Sequence, residues 1–95
     1  METMELHRWH LRVDGNDLWL TTPVVVEGEN KYGMVNQVSV IHDGEILGVI
    51  FSDARSSVHT LYSHANGKAV MLNQPNGLDY VSICEWFLYH SGMKG

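Results

Sequence analysis

Six histidines, one cysteine and two adjacent serines are the side chains of this 95-residue sequence best suited to chemistry. Their spacing argues against each in turn. A metal site needs ligands that converge on one point. His7 and His10 are three residues apart, which on a strand sends them to opposite faces, and His59 and His64 diverge in the same way. There is no His-Glu-x-x-His run and no pair of cysteines, so neither a metal nor a cofactor is expected. Ser56, Ser57, Asp53 and His59 are the residue types of a hydrolytic triad. Groups so close along the chain do not present triad geometry, and no Gly-x-Ser-x-Gly turn is present. Cys84 falls on the apolar arc of a predicted helix, where a thiol behaves as a small hydrophobe and not as a nucleophile. No pair of titratable groups stands at a spacing suited to acid and base, so the expectation is that the protein is not an enzyme.

Two sets of residues keep a binding role. Arg8, His10 and Arg12 alternate along one strand and project from one face over roughly 13 Å. With Arg55 they form a basic set able to receive an anionic ligand such as a nucleotide, Trp9 or Trp19 stacking on its base. The competing account is the solvated face of an edge strand, where charge prevents edge-to-edge pairing. Trp9 also lies on the strand face opposite the arginines. The second set is C-terminal. Wound at 100° per residue, residues 78–91 place Ile83, Phe87, Tyr80, Cys84, Leu88 and Val81 on one arc of about 160°, wide enough to cover a small core. The opposite arc carries Trp86 and Tyr89 among Asp79, Ser82, Glu85 and His90. That is the composition of a docking surface, in which a rigid ring buries large area at low entropic cost. The alternative is that a wrapped sheet, or a loop such as residues 27–33, covers both rings.

The elements that must position these residues are read from turns and periodicity. Asp14-Gly15, Asp43-Gly44 and Asn66-Gly67 each offer the residues that tight hairpins require, at the regular short spacing of an antiparallel sheet. Trp9, Leu11 and Val13 form the dry side of the first strand, residues 18–22 return, and Pro23 stops the ladder or marks an edge. A two-residue turn at Asp43-Gly44 predicts Val40 opposite Leu47, Val38 opposite Val49 and Ser39 facing Gly48. Residues 46–51 are apolar on both faces and should be central in the sheet. Residues 53–72 show helical spacing at Ala54, Val58, Leu61, Tyr62 and Ala65. Ser56, Ser57, His59 and Thr60 are poor helix formers and Asn66-Gly67 is a strong turn, so a hairpin is preferred. Asn76 is the expected cap of the last helix, with Asp79 three residues on and Gly92 at its end; a strand over 81–89 is the alternative. The prediction is an α+β fold, an antiparallel sheet of about five to six strands built from hairpins with one C-terminal helix packed on it, in a single domain spanning 1–95.

Bulk properties narrow the function. Six Lys and Arg against eleven Asp and Glu give a net charge of −5, which argues against direct nucleic-acid binding. The carboxylates are scattered singly, not in the dense rows that nucleic-acid mimicry needs. A charged fraction of only 18% favours self-association or a permanent partner, with a homodimer as the expected oligomer. One cysteine fits a reducing compartment, and no leader or spanning run is apparent, so a cytoplasmic protein without membrane association is expected. The leading expectation is a non-enzymatic interaction module, an inhibitor or adaptor that occupies a surface of a protein partner. Small accessory proteins of phages and mobile elements that block host defence factors have this general composition. The alternative is an oligomeric protein that sequesters a small anionic ligand such as a nucleotide.

Overall fold

The structure is a computed structural model that describes residues 7–27, 34–53, 57–74 and 77–92. The strands are β1 (His7–Val13), β2 (Asn16–Thr21), β3 (Val24–Glu27), β4 (Met34–His42), β5 (Glu45–Asp53), β6 (Val58–Ser63) and β7 (Ala69–Asn73), followed by α1 (Tyr80–His90). All pairings are antiparallel, in the order β1-β2-β4-β5-β6-β7, with β3 beside the first half of β4. The α+β architecture expected from the sequence is therefore observed, with β5 central and the 53–72 segment contributing β6 and β7.

The strand that raises the count to seven is β3. It follows β2 along the same edge of β4, Leu20 pairing with Val40 and Val24 with Gln37. Pro23 lacks the N–H that would continue the ladder across this junction. Where the ladder lapses, the Ser39 N–H donates to Thr21 Oγ1 at 2.9 Å, so the interruption leaves that donor satisfied.

Local turn chemistry sets two hairpins as expected. Asp14 and Asp43 both take φ 53° and the glycines after them φ 79°, the positive pair that matches the twist of the strands. The third turn differs. Ser63 N–H donates to the Lys68 carbonyl at 2.8 Å, closing a four-residue loop over 64–67 in which only Gly67 has positive φ. The Asn66 side chain is used elsewhere: its Oδ1 accepts from Lys68 N–H and its Nδ2 donates to His90 Nδ1 at 3.1 Å, tying the turn to the end of α1.

The β4–β5 register departs from the simple hairpin. Ile41 pairs with Ile46, but Val40 pairs with Gly48, Ser39 with Val49 and Val38 with Ile50, so Leu47 is an extra residue in a bulge. A bulge turns two successive residues toward one side, and Leu47 and Gly48 are both buried. The reason lies in α1. A Cβ on Gly48 would meet Phe87 Cε1 at 2.5 Å and run into the Tyr62 carbonyl. The bulge thus brings the one bare backbone position of β5 under the Phe87 ring.

That contact also sets the roll of the helix. Ile83, Cys84, Phe87 and Leu88 are buried against Leu18, Leu20, Val38, Val40, Ile50 and Leu61. With Phe87 at the centre of the arc, Trp86 swings in on one side and Val81, expected inside, swings out to 50% exposure. The cap lies three residues later than expected. Asp79, not Asn76, is the N-cap: its carboxylate accepts from the Ser82 N–H at 3.3 Å and from Ser82 Oγ at 2.8 Å. Asn76 is outside the described residues. At the other end Ser91 is the C-cap and Gly92 follows at φ 81°, where the sequence placed the stop.

Candidate functional site

Of the residues predicted to dock a partner, Trp86, His90 and Tyr89 are in ring contact along one side of α1, and only Tyr89 among them is exposed. Trp86 is half-buried, its ring edge-on to Phe87 at 5.0 Å and tilted against His90 at 4.3 Å. It walls a cleft with Leu61, Val70, Leu72 and Ile83, so it serves the core of its own chain. This corrects the expectation that both rings look away from the sheet. Tyr89 does, at 66% exposure. Asp79 and Ser82 are spent on capping each other, Glu85 is half-buried and His90 accepts from Asn66. The helix therefore exposes Val81 near its start and, near its end, Tyr89 edge-on to His90 at 5.2 Å.

The basic stripe is also altered. The β1–β2 register shifts between His7 and Trp9, so the regular pairing that carries His10 and Arg12 does not extend through Arg8. Directly across from Arg12 stands Asp17, whose Oδ1 accepts from His10 Nε2 at 2.8 Å and lies 3.7 Å from Arg12 Nη1. The carboxylate thus engages His10 and Arg12, two of the four basic groups expected to meet an anion. Arg55 lies outside the described residues. Trp9 is on the helix side of the sheet, in a shallow cleft of about 360 Å³ with Leu11, Leu20 and Tyr80, away from Arg12.

Two other groups have chemical interest. Ser52 Oγ and His59 Nδ1 are 2.7 Å apart on paired positions of β5 and β6. Burial pushes the His59 pKa down, favouring the neutral ring. Its neighbours in this row of the sheet are Asn36 and Leu72, and no carboxylate in that row orients the imidazole as a triad would require. The pair reads as a cross-strand hydrogen bond. Cys84 is fully buried, and desolvation raises its thiol to about 11, so it is not a nucleophile at neutral pH. Among the described residues no three His, Cys, Asp or Glu side chains converge as a metal site would need.

What the fold does present is the second face of the sheet. Paired residues share a face, so the registers define rows on the side away from α1. His10, Trp19, Ile41 and Ile46 form one, the His10 ring 4.6 Å from that of Trp19, Ser39, Val49, Tyr62 and Ala69 the next, and Val24, Gln37, Phe51, Thr60 and Met71 a third. An antiparallel sheet with one dry face ordinarily turns polar residues outward. Here the outward rows of β4 to β7 carry no charged side chain until Asp53 at the end of β5. Among the described elements none covers them, since α1 contacts β1, β5 and β6 from the opposite side. Met71 is 70% exposed, Ile46 48%, and Trp19 and Tyr62 each 38%.

Apart from Trp19, these residues have no binding role in the reading of the sequence, although a signal is present. The run 46–51, apolar at every position but Gly48, was explained by a central place in the sheet. Central strands of an open antiparallel sheet still have one face to water unless something covers it. Trp19 between Leu18 and Leu20 repeats the same signal. Comparison of the chain with protein-family models, with curated proteins and with solved structures gives no match.

Proposed function

We propose that the protein is a non-enzymatic interaction module that acts by burying the uncovered face of its sheet against another macromolecule, as an inhibitor or adaptor does. One observation carries the reading: five adjacent strands turn uncharged, largely apolar rows away from α1, with Trp19, Ile46, Tyr62 and Met71 exposed above buried Ile41 and Val49 and no covering layer among the described elements. The largest contiguous apolar patch of a protein surface is often its functional contact. The free thiol of Cys84 suits a reducing compartment, and the reading places the protein in the cytoplasm. No described helix is long and apolar enough to cross a membrane. The anion-binding alternative is weighed less because Asp17 already engages His10 and Arg12.

A differential capture tests the reading. Tagged wild type, Met71→Lys on the open face and Tyr89→Lys on the helix are used as baits in the same lysate. A partner retained by wild type and Tyr89→Lys and lost by Met71→Lys is the expected result. Identical capture by all three baits, together with an association state that Met71→Lys leaves unchanged, refutes the assignment to the open face.

A further inference from the structure

We infer that the occupant of this face is a second copy of the chain, packed sheet to sheet about a two-fold axis so that the dimer is layered helix, sheet, sheet, helix. The inference rests on the docking reading above and names the partner. Three properties of the face select a copy of itself.

The first is area. Five strands at ~4.8 Å spacing, and six residues of β5 from Ile46 to Phe51 at ~3.3 Å each, outline an apolar footprint of ~450 Å² before side-chain relief is counted. A stable interface buries about 800 Å² on each partner. The molecule measures 39 by 37 Å across its two longer axes, so the polar margin around the footprint is wide enough to supply the difference.

The second is charge. Nucleic acid needs clustered cations, a basic protein needs rows of acids, and an anionic membrane is repelled by a chain of net charge −5. The centre of the face offers none of these partners a counterion. Charge-free centres are what distinguish homodimer interfaces from transient ones. The rim has both signs side by side, Arg12 and Asp17 at 3.7 Å. A two-fold interface must complement itself, and a rim carrying both charges does so.

The third is relief. Protruding Tyr62 and Met71 stand beside small Ala69 and Thr60 on their own rows, and small Ser39 lies one row in from protruding Trp19 and Ile46. Knobs and hollows are thus both present on one surface, as interdigitating sheet faces about 10 Å apart require.

Light scattering after size exclusion, with the full chain loaded from ~1 to ~100 µM, tests this over the range in which interfaces of standard size begin to associate. Wild type should show twice the 10.7 kDa chain mass. Met71→Lys and Tyr62→Lys each place an unpaired ammonium in the contact of both copies. Each should weaken the dimer ~100-fold or more. Both side chains point to solvent in the single chain, so far-UV circular dichroism should be unchanged; Tyr89→Lys should remain dimeric. A monomeric wild type at the highest concentration, or a dimer that both lysines leave intact, overturns the proposal. A monomer whose captured partner is lost with Met71→Lys removes the second copy alone and leaves the docking reading in place. A dimer and a capture that are both unmoved remove the two together.

Discussion

Replacing Gly48 by alanine probes the contact that decides how α1 sits on the sheet. The change adds a single methyl group at a position without positive φ, and in an ordinary strand the loss of unfolded-state entropy makes Gly→Ala favourable by ~0.4–1 kcal/mol. Here the new Cβ would stand 2.5 Å from Phe87 Cε1 and 3.0 Å from Cδ1, and would collide with the Tyr62 carbonyl, whereas real Cβ contacts essentially never fall under 3.0 Å. The ring can tilt, but the carbonyl belongs to the β5–β6 ladder and moves only with the strand. Overpacking of this kind costs ~1–3 kcal/mol, and a backbone partner puts the site near the upper end. After the entropic gain, a net loss of ~2 kcal/mol is expected, or a fall in Tm of ~8–16 °C for a domain of this length. Urea unfolding at one fixed protein concentration reads it as a shift of midpoint at constant slope. Combining the change with Phe87→Leu should recover part of the loss, a coupling above ~0.5 kcal/mol. An alanine variant as stable as wild type, or more so, would mean that the bulge does not bring Gly48 beneath the ring.

Other consequences are open to direct measurement. Asp79→Ala should lower Tm measurably and Asp79→Asn less, because an amide oxygen still caps the Ser82 N–H. Burial lowers the His59 pKa below its ordinary 6.5, so the unfolded chain takes up the proton first. The contribution of His59 is complete above about that pH and is lost as pH falls through the folded value. His59→Gln should therefore flatten the decline in stability between roughly pH 7 and 5, and an unchanged slope would remove His59 as its source. Cys84, buried and raised to about 11, should react with a thiol reagent at pH 8 at least ~1000-fold more slowly in the folded protein than in denaturant. Prompt labelling of the native chain would contradict the placement of α1.

Much of the fold was legible because it depends on residues near one another in the chain. Two Asp-Gly turns specify their hairpins through their own backbone preferences, and the alternation in β1 and β2 names their inner faces before any partner is known. The periodicity of 80–90 likewise announces a helix with Ile83, Cys84, Phe87 and Leu88 inward, and Gly92 marks its end.

Other features were set by contacts between residues distant in sequence. Only the packing of Phe87 over Gly48 introduces the bulge at Leu47, and the same contact rolls α1 so that Trp86 is drawn in and Val81 turned out. Only the β1–β2 pairing brings Asp17 against His10 and Arg12, converting a basic stripe into a mixed rim. Local residue order thus determined the turns, the periods and the class of the protein. Which side of the sheet α1 would cover, and which it would leave open, was decided by tertiary structure, because an eleven-residue helix can shield only one face of a sheet that carries apolar residues on both.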